Sequence, residues 1–207
     1  MAAVAMDGES RIKKMGISEV DNLLCPNELL KVSNLPGKPV KMLDPNTEEP
    51  FEGTSYFALP TVFGMASITY VQFRNGLREG LYVHMMEDGR VLSRFEMSRN
   101  LFHGKSECFY MNGLPKSYKD YRIANSTHSK LLELKVWKPD GRRCPHSRID
   151  RNGDGIYFHY QEDGTVGGIM FYSDFQVRAE IFYKDKGQFD GAWVYERGQE
   201  YKELSIV

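Results

Sequence analysis

Three oxygen-bearing side chains spaced two residues apart, Asp150, Asn152 and Asp154, have the spacing best suited to a metal ion. Calcium loops of the EF-hand type place such ligands at positions one, three and five, because hard cations prefer carboxylate and amide oxygens. Position twelve, which supplies a bidentate Glu in those loops, is Gln161 here, and the flanking residues have the pattern of strands. We therefore interpret the segment as a polar hairpin turn and predict no metal site.

A second cluster with chemical potential surrounds Cys144 and His146. Three arginines accompany them: Arg142, Arg143 and Arg148. One Cys and one His cannot complete a structural zinc site, which needs four ligands. The arginines are candidate anion contacts, because guanidinium groups form charge-assisted hydrogen bonds with phosphate and phosphoinositide head groups. A solvated loop is the competing interpretation, since Asp150 and Asp154 weaken the positive field nearby.

The histidines do not indicate catalysis. His84 and His159 lie four residues after Gly80 and Gly155, and this equal spacing is typical of a structural position on a sheet face. The chain contains no Gly-x-Ser-x-Gly elbow, zinc-protease motif or paired-Cys motif. We therefore expect a non-enzymatic protein without a cofactor, although residues scattered along a sequence can also build acid–base sites.

The composition limits the class of protein. The 207 residues carry 27 basic and 28 acidic side chains, whereas a protein that coats nucleic acid needs a clear basic surplus. Apolar residues at 41% and aromatic residues at 13% favour a folded core over disorder. Three cysteines are too few for a disulfide framework, and no run reaches the ~20 apolar residues of a membrane helix. We expect a cytoplasmic protein, with association with the cytoskeleton or a membrane surface left open.

Aromatic residues divide the chain at residue 50. None of them occurs in residues 1–50, whereas five of the nine prolines do. A segment of this composition buries little surface of its own. We predict a tail over residues 1–50 with short helical turns at Ser18–Leu24 and Pro26–Val32, which packs on the rest of the chain or on a partner. Residues 51–207 then form the folded domain.

Asn-Gly and Asp-Gly dipeptides punctuate this folded domain. Glycine tolerates the positive φ of tight hairpin turns, so these pairs between apolar runs predict hairpins. The predicted turns are Asn75-Gly76, Asp88-Gly89, Asn112-Gly113, Asp140-Gly141, Asn152-Gly153, Asp163-Gly164 and Asp190-Gly191. Between them, residues 129–137 are ambiguous between helix and strand, and we predict a strand.

The turn glycines recur with the period of a structural repeat. Intervals of 24, 28, 23 and 23 residues separate Gly89, Gly113, Gly141, Gly164 and Gly187. A second glycine stands nine residues before three of them, at Gly80, Gly104 and Gly155. This period accommodates two strands of about six to eight residues and two turns, so each repeat is predicted to be a β-hairpin. Hairpins paired edge to edge give the predicted fold, an all-β, elongated, single-layer antiparallel sheet.

Aromatic side chains recur near the repeat glycines, to which we add Gly191. The repeat aromatics are Phe73, Tyr82, Tyr110, Tyr160, Trp193 and Tyr195. Glycine weakens an ordinary strand, and an aromatic ring that lies across the glycine backbone is a known compensation. We therefore predict a ladder of rings over glycines along one face of the sheet.

Two segments carry a family resemblance: FRNGLREGLY at residues 73–82 and YKDKGQFDGAW at residues 183–193. They resemble the membrane-occupation-and-recognition-nexus (MORN) repeat, and more closely its variant in antitoxin-like proteins, over roughly residues 66–204. The chain lacks the usual doublet after the second glycine, and the unit over residues 117–141 is eroded. The resemblance implies a curved antiparallel sheet used for assembly, with some relatives binding anionic lipids and others dimerising or acting as scaffolds.

We therefore expect a protein-interaction or scaffold module whose partner is another protein or a second copy of the chain. Two alternatives stay open: peripheral binding to anionic phosphoinositide membranes, and antitoxin-like inhibition of a partner enzyme. Strand edges left exposed in such a sheet are expected to be covered by the tail or by a partner strand.

Overall fold

The structure is a computed structural model that describes residues 24–26, 30–33, 40–62, 65–195 and 202–203. The chain divides into two compact units, Met1–Leu101 and Phe102–Val207. The boundary predicted at residue 50 therefore falls inside the first unit. No helix within the described ranges is long and apolar enough to cross a lipid bilayer.

The described residues of the first unit form seven strands. These are β1 Leu24–Pro26, β2 Lys31–Ser33, β3 Lys41–Leu43, β4 Gly53–Val62, β5 Met65–Arg74, β6 Leu77–Met86 and β7 Val91–Ser98. Strands β4 to β7 pair antiparallel with their chain neighbours, β1 adds in parallel to β4, and β2 pairs with β3. The bounds of the helical turn predicted at Pro26–Val32 are wrong, because Pro26 ends β1 and Val32 lies in β2, and residues 27–29 lie outside the described residues. The turn predicted at Ser18–Leu24 lies outside the described residues, except that Leu24 begins β1.

The described residues of the second unit form antiparallel strands in two sheets. The first sheet contains β8 Leu101–Phe109, β9 Pro115–Ile123 and β10 Ser129–Val136, in that order. The second contains β11 Arg148–Ile149, β12 Gly155–Tyr160, β13 Val166–Ser173, β14 Gln176–Tyr183, β15 Phe189–Val194 and β16 Lys202–Glu203. The strand predicted within residues 129–137 is confirmed. The predicted all-β fold of antiparallel hairpins in open sheets is confirmed as well.

One turn geometry recurs in both units and accounts for the glycine period. At Gly89, the glycine N–H donates to the carbonyl of Met86 at 2.9 Å, and the Met86 N–H donates to the carbonyl of Arg90 at 2.8 Å. Gly89 has a φ of 91°, a left-handed conformation that glycine adopts without a steric penalty. The same pair of hydrogen bonds closes the turns at Gly113, Gly141, Gly153, Gly164 and Gly187. The turn at Gly187 differs from the others in its backbone, because Lys186 before the glycine also has a positive φ of 62°.

The remaining turns show where prediction of turns from Asn-Gly and Asp-Gly dipeptides succeeds and where it fails. Asn75-Gly76 is a two-residue turn with positive φ at both residues, as predicted. Asp190-Gly191 is not a turn but lies inside β15, because the turn at Gly187 has already reversed the chain. Arg99-Asn100 and Asp174-Phe175 are two-residue turns that sequence analysis missed, since positive φ occurs there without glycine.

Glycines also stand nine residues before three of the turn glycines. Aromatic rings were predicted to lie across them, but the structure shows other neighbours at Gly80 and Gly155. At Gly80 the φ is 100°, and a Cβ would overlap the Gln72 side-chain amide, whose oxygen accepts the Leu81 N–H at 2.6 Å. At Gly155 a Cβ would overlap the backbone of β11. The prediction that an aromatic ring covers these two glycines is therefore wrong, because the Gln72 amide occupies that space at Gly80 and strand β11 occupies it at Gly155. Gly104 stands opposite Tyr121 of β9.

The aromatic side chains divide among separate cores. In the first unit, Phe73 is buried beside Phe51, and Tyr82 packs against this cluster and stacks on Phe95 at 4.2 Å. Leu30 and Met42 join the same cluster, so described residues of the predicted tail contribute to a core of the first unit. In the second unit, the repeat aromatics Tyr110 and Tyr160 belong to another core, while Trp193 and Tyr195 are half-buried in and after β15. The single ladder of rings predicted above is therefore replaced by local clusters.

Candidate functional site

A groove of about 520 Å³ runs along the edge of β10 in the second unit. Residues 132–134 of β10 form one wall, and residues 143–145 and 147–149 form the other. The volume lies within the range of sites that bind small molecules or short peptide segments, roughly 300–1,000 Å³.

The groove exists because β10 is paired on one side only. Its pairing partner is β9, and at its end the Cys144 N–H donates to the Val136 carbonyl at 2.8 Å. Backbone groups two residues apart point the same way in a strand, so the N–H and carbonyl of Leu134 also face the groove. Within the described residues no strand pairs with this edge. A β-bulge between Leu131 and Glu133 lies beside it, and Leu132 is 38% exposed.

The groove carries positive charge that the described protein does not neutralise. Arg143 and Arg148 are exposed wall residues, and no described carboxylate lies within ion-pair distance of either. Glu133, the acidic residue of the opposite wall, is paired with Lys135 at 2.6 Å. Two of the three predicted anion contacts therefore line one groove, next to an unpaired strand edge.

Arg142 is placed differently. Its Nε donates to Asp140 Oδ2 at 2.7 Å, and its Nη2 lies 2.6 Å from the same oxygen. These contacts lower the pKa of the Asp140 carboxyl, first through the side-chain hydrogen bond and then through the Arg142 N–H. Arg142 thus belongs to the turn at Gly141, and its charge is locally balanced.

Cys144 anchors the wall that carries the arginines. Its Sγ accepts hydrogen bonds from Tyr160 Oη at 3.2 Å and from Ser147 Oγ at 3.6 Å. Burial alone would raise the pKa of the thiol, but hydrogen bonds from Tyr160, Ser147 and neighbouring backbone groups lower the pKa overall. Ser147 Oγ also accepts the Phe158 N–H at 2.9 Å, which ties the loop to β12. The buried thiol and the Ser147 hydroxyl therefore tie the loop that carries Arg143 and Arg148 to β12.

The polar segment after β11 is a hairpin turn, as predicted. Asp150 Oδ1 accepts the N–H groups of Asn152 at 2.8 Å and of Asp154 at 3.0 Å. Asp154 Oδ1 accepts the Asp174 N–H at 3.3 Å, so both carboxylates serve the backbone. Across the described ranges, no three His, Cys, Asp or Glu side chains converge in a way that could hold a metal ion.

A second charged cluster in the same unit was missed by sequence analysis. Lys119 Nζ lies 4.1 Å from the centre of the Tyr157 ring, and Lys116 Nζ lies 5.2 Å from that of Tyr110. Burial, followed by the charges of both lysines, lowers the pKa of His159 to about 4. Burial also lowers the pKa of Lys116 and of Lys119.

Sequence analysis did not group Lys116 with Lys119 because the alternation of side chains along β9 is interrupted. Lys116 and Lys119 are three residues apart, and strict alternation would send them to opposite faces of β9. The pairing of β8 with β9 is irregular between Cys108 and Phe109, at the point where Lys116 enters the strand. The equal repeat phase of His84 and His159 was visible in the sequence, but the lysines that surround only His159 were not.

Comparison with known protein families gives no matching family model, and no curated protein matches the sequence. The resemblance to the MORN repeat therefore stays a prediction. Candidate sites within the described residues include the β10 groove and the charged cluster around Lys119.

Proposed function

We propose that the protein is a non-enzymatic interaction module that binds an extended, acidic segment of a partner protein in the β10 groove. The observation that supports this proposal is the unpaired edge of β10 beside Arg143 and Arg148. An unpaired strand edge is a template for strand addition, in which main-chain hydrogen bonds supply much of the affinity. The exposed side chain of Leu132 adds an apolar contact at the same edge.

The charge of the groove selects among extended segments. Guanidinium groups pair with carboxylates in charge-assisted hydrogen bonds, and Arg143 and Arg148 have no such partner among the described residues. An acidic segment satisfies both arginines and the free backbone of Leu134 together. The MORN-like repeat pattern is consistent with an assembly or scaffold role, and inhibition of a partner enzyme is one form that such binding takes.

Peripheral binding to anionic membranes is the second candidate. The same two arginines and the 38% exposed side chain of Leu132 favour it, because basic residues beside an apolar group suit a phosphoinositide surface. The two candidates differ in one respect: a membrane requires the charges only, whereas a peptide also requires the free edge of β10.

The test measures binding of a labelled peptide of about eight residues with alternating Glu and Val by fluorescence anisotropy. We expect the Arg143→Ala plus Arg148→Ala variant to weaken binding by about tenfold. Arg90→Ala plus Arg142→Ala is the matched control, since both of these arginines are paired within turns, and it should bind like the wild type.

A peptide N-methylated at alternate residues separates the two candidates. N-methylation removes the backbone donors and leaves the charge, so it should abolish peptide binding if the strand edge is used. Equal binding of methylated and unmethylated peptides, together with salt-sensitive association with phosphoinositide vesicles, would favour the membrane. Peptide binding that the groove double variant leaves unchanged would refute the groove.

A further inference from the structure

A second cavity of the second unit, here termed the Tyr183 cleft, lies between the turns at Gly164 and Gly187 and has a volume of about 500 Å³. This volume lies within the range of small-molecule sites, roughly 300–1,000 Å³. Its apolar walls come from three successive strands: Tyr160 of β12, Val166 and Ile169 of β13, and Tyr183 of β14. The cleft shares no lining residue with the β10 groove.

A β-bulge in β13 places these side chains on one face of the sheet. Val166 and Ile169 are three residues apart, so strict alternation would direct them to opposite faces. The pairing of β12 with β13 skips Gly167, which is the extra residue of the bulge, and Val166 is thereby returned to the face of Ile169. Tyr183 lies two residues after Ile181, the partner of Ile169 in β14, and therefore shares this face.

The walls of the cleft are held by residues that do not line it. Tyr160 Oη donates to Cys144 Sγ at 3.2 Å. Gln161 Nε2 donates to the Tyr183 carbonyl at 3.4 Å, which ties the end of β12 to the end of β14. The Tyr183 ring meets the Phe189 ring edge-on, with the ring centres 6.3 Å apart. A ligand would therefore meet aromatic walls that are already in place, which lowers the entropic cost of binding.

Of the described residues that line the cleft, Lys138 alone carries a charge. Its Nζ lies 5.4 Å from the centre of the Tyr160 ring, and no carboxylate of the described residues lies within ion-pair distance. Three acidic residues close in sequence to the lining residues have other partners: Asp140 pairs with Arg142, Glu162 accepts the Met111 N–H and Asp163 accepts the Thr165 hydroxyl. A ring face attracts a cation but does not neutralise it, so Lys138 leaves the cleft with one positive charge.

We infer that the Tyr183 cleft binds a small aromatic carboxylate, whose acid group pairs with Lys138 and whose ring lies against Tyr183, Val166 and Ile169. Lysine is a compact point charge, which suits a single carboxylate, and tyrosine rings make favourable offset or edge contacts with another ring. An aliphatic acid would satisfy the charge without the ring contacts, and a neutral ring would leave Lys138 unpaired. This site is separate from the β10 groove and goes beyond the function proposed for that groove.

The experiment titrates the full chain with naphthoate by calorimetry and compares it with two related compounds. Naphthamide keeps the rings and removes the charge, whereas cyclohexanecarboxylate keeps the charge and removes the aromatic ring. We expect the wild type to bind naphthoate about tenfold more tightly than either of them, because only naphthoate makes both contacts.

Substitutions in the cleft separate the two contacts. Lys138→Met should weaken naphthoate binding by about tenfold and leave naphthamide binding unchanged, because Met keeps the length of the side chain and removes its charge. Tyr183→Leu should weaken both compounds to a similar degree, because it removes a ring contact and leaves the charge. Lys130→Met is the matched control, since Lys130 also lies over an aromatic ring, Phe175 at 4.4 Å, but does not line the cleft.

Arg143→Ala plus Arg148→Ala should leave naphthoate binding unchanged, because these arginines line the β10 groove, so failure of the groove and failure of the cleft are distinguishable. Three results would overturn the inference: no binding of naphthoate by the wild type, equal binding of naphthoate and either comparison compound, or wild-type affinity in Lys138→Met. Lys138→Met should unfold at nearly the same temperature as the wild type, since the Lys138 amino group has no ion pair within the described protein. Loss of naphthoate binding in this variant will therefore not reflect misfolding.

Discussion

The buried faces of the two units differ in how they treat polar groups. In the first unit, Ser67 and Thr69 of β5 are buried with hydroxyl groups that have no hydrogen-bond partner. In the second unit, the buried Ser147 both donates to Cys144 and accepts from a backbone N–H. The turns at Gly89 and Gly141 have the same hydrogen bonds. Hairpins of the same type can therefore carry buried polar side chains with different hydrogen bonding on their sheet faces.

The two histidines of equal repeat phase show this difference most directly. His84 lies in β6 of the first unit. Burial lowers its pKa, and its Nε2 has no hydrogen-bond partner. His159 has two lysines as neighbours, which lower its pKa further. Position within the repeat therefore determines that a side chain lies on the sheet face, and the neighbouring strands determine whether a charged site forms there.

The largest expected effect comes from cavities in the two cores. Leu131 is 1% exposed in the second unit and Met85 is 3% exposed in the first. Replacing either with Ala should lower the free energy of unfolding by about 2–5 kcal/mol. Hydrogen exchange should show that Leu131→Ala reduces amide protection mainly in β9, β10 and β12, and Met85→Ala mainly in β5 to β7. Equal loss of protection in both units would show that they are one cooperative structure.

The next effect is the pH dependence that His159 creates. Its pKa is about 4 in the folded protein, below the ordinary value of 6.5, so the unfolded chain binds more protons between these values. The free energy of unfolding should therefore fall as the pH drops from 6.5 to 4, by roughly 1–3 kcal/mol after allowance for solvent screening.

His159→Gln isolates this contribution, because it removes the titrating group and keeps a polar side chain. Denaturant unfolding at pH 7 and pH 4.5 should show a smaller difference for this variant than for the wild type. His84→Gln is the control from the first unit, where burial alone lowers the pKa, and its effect should be smaller. An equal effect of the two substitutions would contradict the special role given to the lysines.

The turns and strands were predictable because their signals are local. The Asp or Asn before Gly89, Gly113, Gly141 and Gly164 accepts the N–H that follows the glycine, a contact within three residues. The strand of residues 129–136 and the hairpin period follow from the same short-range chemistry. Turns without glycine, such as Asp174-Phe175, carry no such signal and were missed.

The sites depend on long-range relations that no local pattern contains. Arg143 and Arg148 were recognised as basic residues, but only the unpaired edge of β10 makes them line a groove. The charge of Lys119 in β9 lowers the pKa of His159, which lies in β12, a strand more than 30 residues later in the chain. Arg142, which looked equivalent to its neighbour, is neutralised by Asp140 two residues away.

A smaller effect, of opposite sign in the two units, should come from buried hydroxyl groups. Thr69 is fully buried with an unpartnered Oγ1, so Thr69→Val should raise the free energy of unfolding by about 1 kcal/mol. Ser147→Ala should lower it by about 1–3 kcal/mol, because the Phe158 N–H and the Cys144 thiol each lose a partner. Thermal and denaturant unfolding measure both, and destabilisation by Thr69→Val would mean that its hydroxyl is satisfied after all.

The smallest effect concerns the ion pairs that the two units have in common. Arg90 pairs with Asp88 at 2.7 Å and Arg142 pairs with Asp140 at 2.6 Å, each within the same kind of turn and each open to solvent. Exposed pairs contribute little, because solvent screens the charges and ordering two long side chains costs entropy. Arg90→Ala and Arg142→Ala should therefore each leave the midpoint of thermal unfolding essentially unchanged. A clear loss of stability from Arg142→Ala alone would show that this arginine supports the wall of the β10 groove, and the turns of the two units would then no longer be equivalent.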